Sequence, residues 1–235
     1  MVEGKGVRNM LRLISAGLAP GLALLSYFYL KDSYRPEPLR HVLKMFIVGA
    51  FLVFPTMALQ HALRQGVGDI FIFDSYITIA LTEEFLKFFF LYHLAFKHPG
   101  FKEPYDGIVY AVAIALGFAS AENIFYLLIN GIELAWLRAI IPVSGHALFG
   151  VFMGYYLGKF RFRIENKRSR SVILAIVSPV IAHGSLDFLL LYTDLYWIWF
   201  VVPFMLFLWV AGLKRVKMAH ERSPYAPNQS VGQIK

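Results

Sequence analysis

The chain has 235 residues, of which 58% are hydrophobic and only 16% are charged, and its formal net charge is +8. Soluble domains carry nearer a quarter charged residues, so this composition excludes an ordinary soluble domain and is typical of a polytopic membrane protein. The sequence contains no cysteine, which excludes disulfides, thiolate metal ligands and a cysteine nucleophile. Its basic residues cluster in short connections beside apolar runs, where they orient membrane proteins, so we do not expect nucleic acid as a partner.

Apolar runs of about 20 residues, the length that crosses a bilayer, recur along the whole chain with short connections between them. In chain order, the predicted spans cover 14–30, 41–62, 76–96, 106–130, 139–158, 172–192 and 196–213. The sequence therefore predicts an all-α fold, a polytopic membrane helix bundle of about seven transmembrane helices. We expect one transmembrane domain over residues 1–222 and a disordered cytoplasmic tail over 223–235.

One short connection, Lys159 to Arg170, is the most basic of the chain and gives the strongest signal for orientation. Its basic residues are Lys159, Arg161, Arg163, Lys167, Arg168 and Arg170. Connections rich in Lys and Arg stay on the cytoplasmic side, so this connection is predicted to be cytoplasmic. Counting spans from it places the amino terminus outside the cell and the carboxy terminus in the cytoplasm.

The third predicted span carries Glu83, Glu84 and Lys87 inside the apolar run from Tyr76 to Phe96. A charge at bilayer depth costs several kcal/mol, so such groups are functional by default. Lys87 lies four residues after Glu83 and three after Glu84, which is the favourable order for an ion pair on a helix. We expect Lys87 to hold one carboxylate ionised and to leave the other free as a general base toward water.

Other polar residues lie at the same depth in different spans. Counted from the predicted outer helix ends at about 1.5 Å per residue, the shared depth is roughly 10 to 14 Å. The residues at this level are Glu83, Glu84, Glu122, His146 and His183. Asp187 lies one turn from His183 on the same helix face. Helices that hide polar groups from lipid face each other, so the sequence predicts convergence of these groups on one cavity. There the imidazoles would polarise a carbonyl and stabilise the oxyanion formed by water attack.

A metal site is the competing mechanism. Carboxylates and imidazoles are acceptable zinc ligands, and bound zinc activates water in place of a general base. The candidate ligands are Glu84, Glu122, His146, His183 and Asp187. The sequence lacks H-E-x-x-H, the spacing that would make a zinc site a strong prediction. No cofactor is therefore favoured, and zinc is the second choice.

Alternatives of other kinds stay open at the level of the residues. A structural ion pair would explain Glu83, Glu84 and Lys87, and polar bridging between helices would explain the remaining groups. A proton-coupled transporter would use the same residues as an ion path, although no convincing internal repeat supports it. A catalytically silent protein that binds one transmembrane partner is a further alternative.

Four motifs in order resemble the PrsW family of bacterial intramembrane proteases, which is related to the CAAX prenyl protease and bacteriocin-processing group. The motifs are Glu83-Glu84-x-x-Lys87, Phe118-x-x-x-Glu122-Asn123-x-x-Tyr126, Arg138 to His146, and His183-x-x-x-Asp187. The Ala19-Pro20 pair and the Tyr34-Arg35-Pro36-Glu37-Pro38 connection are similar to the family's amino-terminal signature. The resemblance extends from Leu18 to Asp187.

The resemblance implies an endopeptidase in the plasma membrane of a prokaryote that makes the first cut in a single-pass anti-sigma factor, near its extracytoplasmic side. The implied catalytic residues are Glu83, Glu84, Glu122, His146, His183 and Asp187, supported by Lys87, Asn123 and Tyr126. The family has been classed as metalloprotease-like, whereas its CAAX relatives are viewed as glutamic proteases. The resemblance therefore leaves the choice between zinc and glutamate open.

Overall fold

The computed structural model describes residues 3–67, 70–162, 168–192 and 196–227. Within these ranges the chain forms seven helices and no strand. The helices are α1 (Glu3–Leu30), α2 (Leu39–Val67), α3 (71–96), α4 (Pro104–Asn130), α5 (Ala135–Arg161), α6 (Arg168–Tyr192) and α7 (Trp197–Glu221). The predicted all-α bundle is confirmed.

Among the described residues, six helices are long and apolar enough to cross a membrane, namely all except α3. Every window of 18 residues in α3 contains Glu83, Glu84 and Lys87, which makes it more polar than the others. These three side chains are buried inside the protein rather than directed at the surface. The bundle therefore shields the three charged side chains of α3 from lipid, while apolar residues of the same helix such as Phe85 and Phe89 remain on the surface.

The helices extend further than the apolar runs predicted. Helix α5 continues to Arg161 and α6 begins at Arg168, so the ends of the predicted connection from Lys159 to Arg170 are helical, while 163–167 lie outside the described residues. Hydropathy marks the part of a helix that lies in hydrocarbon, whereas Lys and Arg are good helix formers that continue it beyond that part. Of the predicted tail, residues 223–227 are described, and Ser223 is buried.

Helix α4 occupies the centre of the bundle, and it packs against α1, α2 and α5. Its backbone lies directly against the backbones of α2 and α5. A Cβ added at Gly117 would collide with the carbonyl oxygen of Phe46, and one added at Gly107 would lie 2.5 Å from the carbonyl oxygen of Gly154. Small residues permit such close approach between membrane helices. The spacing fixes α4 and α5 relative to each other and so positions the polar residues that they carry.

Helix α3 changes its winding on both sides of the glutamate pair. Residues Asp74–Leu81 and Tyr92–Phe96 are π-helical, and Thr82–Leu91 between them is an α-helix. Short π-helical turns occur frequently at functional sites, because they alter which face a side chain occupies. Here α3 packs against α2, α4 and α6, and it directs Glu83 and Glu84 into the interior.

Candidate active site

Four helices bring their polar residues together at one place. Glu83, Glu84, His146 and His183 are buried, and one carboxylate or imidazole atom of each lies within 4.8 Å of the others. Glu122 reaches the group through a contact of 3.2 Å between its Oε2 and His146 Nε2. The predicted convergence of α3, α4, α5 and α6 is confirmed, whereas the catalytic roles of these residues stay a prediction.

Lys87 lies at the centre of the group and contacts both glutamates rather than one. Its Nζ donates to Glu84 Oε1 at 2.8 Å and to Glu83 Oε2 at 3.2 Å. It also lies 3.2 Å from His146 Nδ1 and 4.1 Å from the centre of the Phe118 ring. The side chain is fully buried, so its ammonium offsets part of the cost of two buried carboxylates.

The contacts of the two histidines assign different protonated nitrogens. A charged Lys87 is a donor only, so Nδ1 of His146 must accept from it, and the proton of a neutral imidazole is then on Nε2, facing Glu122. In His183, Nδ1 lies 3.0 Å from Oε1 of Glu84; an ionised carboxylate only accepts, so Nδ1 carries a proton and donates to it. Nε2 of His183 lies 3.2 Å from Asp187 Oδ2.

A cavity of about 350 Å³ opens beside this group. The polar side chains that line it are Glu83, Glu122, Tyr126, Arg138, His146, His183 and Asp187. Glu84 and Lys87 do not belong to this lining and are completely buried behind it. The two adjacent glutamates are therefore not equivalent, since Glu83 faces the cavity and Glu84 faces the lysine and a histidine.

Arg138 is a member of the site to which the sequence gave no role. Its Nη2 lies 3.2 Å from Glu122 Oε1, its Nε donates to Asn123 Oδ1 at 2.9 Å, and its guanidinium lies 4.0 Å from the centre of the Tyr126 ring. Asn123 also donates to the carbonyl oxygen of Gly17 at 3.2 Å, so it holds Arg138 without lining the cavity. Arg138 falls between the predicted spans 106–130 and 139–158, but α5 begins earlier than predicted and includes it.

Gln60 is a member of the site that the sequence did not single out. Its Nε2 donates to Glu83 Oε1 at 3.2 Å. It lies near the end of the second predicted span and carries no charge, so depth and charge give no signal for it. The structure thus fixes both oxygens of Glu83, one through Gln60 and one through Lys87.

A known protein family matches most of the chain. Residues 37–211, which include every residue of the group above, match the model of a family described as PrsW family intramembrane metalloprotease. The chain belongs to the PrsW family. It is 49% identical to Protease PrsW of Bacillus subtilis (strain 168) over 211 residues, which are 89% of this chain and 96% of that protein. No solved structure gives a significant match.

Further PrsW proteins match at similar coverage. Protease PrsW of Geobacillus kaustophilus (strain HTA426) is 48% identical over 227 residues, 96% of this chain and 99% of that protein. Protease PrsW of Clostridioides difficile (strain 630) is 32% identical and covers 93% of this chain and 96% of its own length. The protein is therefore an intramembrane protease and an integral membrane protein, and the predicted family is confirmed.

Proposed function

We propose that this protein is an endopeptidase that hydrolyses a peptide bond in a single-pass membrane protein of the anti-sigma-factor type, near the extracytoplasmic side of a prokaryotic plasma membrane. Its amino terminus would lie outside and its carboxy terminus in the cytoplasm. The observation that carries the proposal is the cavity lined by carboxylates and imidazoles inside a bundle of membrane-spanning helices. Such groups activate water and stabilise the oxyanion of a tetrahedral intermediate.

Glu83 is the general base in this proposal. It is the member of the glutamate pair that faces the cavity, and Gln60 and Lys87 fix the orientation of its carboxylate. Water bound beside Glu83 attacks the carbonyl carbon of the substrate while its proton passes to the carboxylate. The same proton then passes to the leaving nitrogen as the carbon–nitrogen bond breaks. Glu84 has a different role, because it holds His183 and balances the charge of Lys87.

In this proposal the oxyanion is stabilised by donors that also line the cavity. His146 presents its Nε2 proton there, and the Arg138 guanidinium lies beside the same carboxylate, Glu122. A substrate carbonyl that displaces Glu122 from these donors would receive hydrogen bonds from both. Donors fixed before the reaction are worth most in a site that excludes water.

The donor set fits a metal ion only in part. Glu83, Glu84, His146 and His183 are close enough together to hold an ion. However, the Lys87 ammonium lies within 3.2 Å of three of these residues, in the region where a cation would bind. Because His146 accepts at Nδ1, its Nε2 carries the proton and has no lone pair for a metal. As arranged, the residues fit water activation by glutamate better than zinc, although the family description names a metalloprotease.

The surroundings of the cavity support a substrate that arrives from the membrane. A second cavity of about 250 Å³ shares Tyr126, Arg138, Pro142 and Leu190 with the first. It continues into an apolar groove of about 440 Å³ between the beginnings of α5 and α7, with which it shares Leu137, Ile141 and Trp197. A membrane-spanning segment in this groove would reach the carboxylates without passing through water.

Co-expression with candidate single-pass membrane proteins tests the proposed function. We expect the wild-type protein to convert the correct partner to a shorter fragment, detected by epitope tags at both ends of the partner. A double variant with Glu83→Gln and Glu84→Gln should leave the partner at full length while being present in the membrane at normal abundance. Glu133→Gln, which changes an exposed glutamate, is the matched control and should cleave normally. Fragment formation by the double variant would refute glutamate catalysis.

Removal of metal ions separates the two mechanisms. After the purified protein is treated with a strong chelator, we expect cleavage at the wild-type rate and less than one zinc per chain by atomic absorption. The reason is that Lys87 already balances the carboxylates that zinc would need. Loss of cleavage after chelation, with recovery on addition of one equivalent of zinc, would show that the metal-dependent alternative is correct.

A further inference from the structure

A second group of buried carboxylates lies where two connections meet, far from the candidate active site. Asp32 follows α1, Glu103 precedes α4, and Asp106 is in the first turn of α4. One carboxylate oxygen of each lies within 4.8 Å of the others, and all three residues are buried. Asp106 is sixteen residues before Glu122 on α4, which places the group about 24 Å along the helix from the active site.

Only part of this group is satisfied by hydrogen bonds. Asp106 Oδ2 accepts from the backbone N–H groups of Lys102 and Glu103, and Asp32 Oδ2 accepts from that of Glu37 at 3.2 Å. Asp32 Oδ1 and Asp106 Oδ1 are buried and accept no hydrogen bond from the described part of the chain. The fully buried carboxylate of Glu103 contacts the first turn of α4, which it caps, and the hydroxyl of Ser223, and neither contact neutralises its charge.

A fourth buried carboxylate, Glu37, increases the excess of negative charge. Its Oε2 accepts from the hydroxyl of Tyr110, and its Oε1 lies 3.8 Å from Nη1 of Arg35. That guanidinium is partly exposed and donates to the carbonyl oxygen of Gly100. Unpaired buried carboxylates are expensive, and binding of a cation is one of the few ways to keep them ionised.

We propose that Asp32, Glu103 and Asp106 bind one hard divalent cation, such as Mg²⁺, Mn²⁺ or Ca²⁺. Carboxylate oxygens alone suit these ions, whereas zinc prefers sites that include nitrogen or sulfur. The ion links the α1–α2 connection to the α3–α4 connection and to the first turn of α4. Since α4 also carries Glu122, the ion anchors a helix that contributes to the active site. The site is structural and does not take part in hydrolysis.

Binding of Mn²⁺ by the purified protein in lipid nanodiscs tests this site. After removal of bound ions, we expect one Mn²⁺ per chain by electron paramagnetic resonance, and competition by Mg²⁺ or Ca²⁺. The thermal unfolding midpoint should rise by about 5 to 10 °C when the Mn²⁺ concentration is 100-fold above its Kd. Glu103→Gln and Asp32→Asn should each lose the bound Mn²⁺ and the rise in the midpoint.

A matched variant shows which group binds the ion. The double variant of Glu83→Gln and Glu84→Gln removes the carboxylates of the active site and should still bind one Mn²⁺. Loss of the ion in that variant would place it in the active site and overturn the proposal. A wild-type protein that binds no Mn²⁺ at millimolar concentration would overturn it as well. A Glu103→Gln variant that keeps the bound Mn²⁺ would overturn it too.

Discussion

Glu83→Gln is expected to lower the rate of peptide hydrolysis by roughly 10²- to 10⁴-fold, the contribution of a general base in other enzymes. The amide has the same shape as the carboxylate and still accepts a hydrogen bond, but it cannot take a proton from water. Glu83 faces the cavity, so the substitution acts on the reacting atoms directly. The measurement is single-turnover cleavage of a purified single-pass substrate by the protein in nanodiscs.

Glu84→Gln provides the contrast that assigns the base. Glu84 is completely buried, accepts from Lys87 and holds His183, so we expect a lower unfolding midpoint together with a smaller loss of rate. Glu83→Gln should change the unfolding midpoint less, because the side chain at position 83 borders the cavity, whereas Glu84 is completely buried. If Glu84→Gln proved the more damaging to hydrolysis at unchanged stability, the two roles would be reversed.

Depth and charge were sufficient to predict the core of the candidate site. A charge inside an apolar run is rare, so Glu83, Glu84 and Lys87 stand out individually. Residues at equal depth on separate helices must face each other to avoid lipid, and this places His146 and His183 beside them. The predicted convergence of these side chains is found because each helix crosses the bilayer in one direction. The position of a residue along a span therefore gives its depth.

The residues to which the sequence gave no role lie at or beyond the ends of the apolar runs, where depth in the bilayer no longer indicates which side chains meet. Arg138 lies outside the apolar run that marks its helix, so hydropathy assigned it to a connection. Asp32 and Glu103 belong to connections that are separated by about seventy residues and two helices, and no periodicity shows that two such connections meet. The same holds for Gln60, whose amide has no charge that would distinguish it from any polar residue near a helix end.

Lys87→Met is expected to have the largest effect on stability. Methionine fills a similar volume but leaves the carboxylates of Glu83 and Glu84 buried without their shared ammonium. Breaking a buried ion pair by removing one partner costs about 3 to 5 kcal/mol. For a chain of this size, that corresponds to a decrease in the unfolding midpoint of roughly 10 °C. The measurement is thermal unfolding in nanodiscs, with Lys217→Met as a control on an exposed lysine that should leave the midpoint unchanged.

Combining Lys87→Met with Glu84→Gln distinguishes charge balance from simple loss of packing. If the ammonium stabilises the site by neutralising a carboxylate, removing one charge of each sign should destabilise the protein by less than the sum of the two single changes. An additive result would instead assign the effect of Lys87 to its hydrocarbon stem against Phe118.

The Lys87→Met variant also removes the ammonium that keeps His146 protonated at Nε2, so it is the variant in which the glutamates and histidines are free to hold zinc. Recovery of its stability by zinc, without any effect of zinc on the wild type, would show that lysine takes the place of a metal in this member of the family.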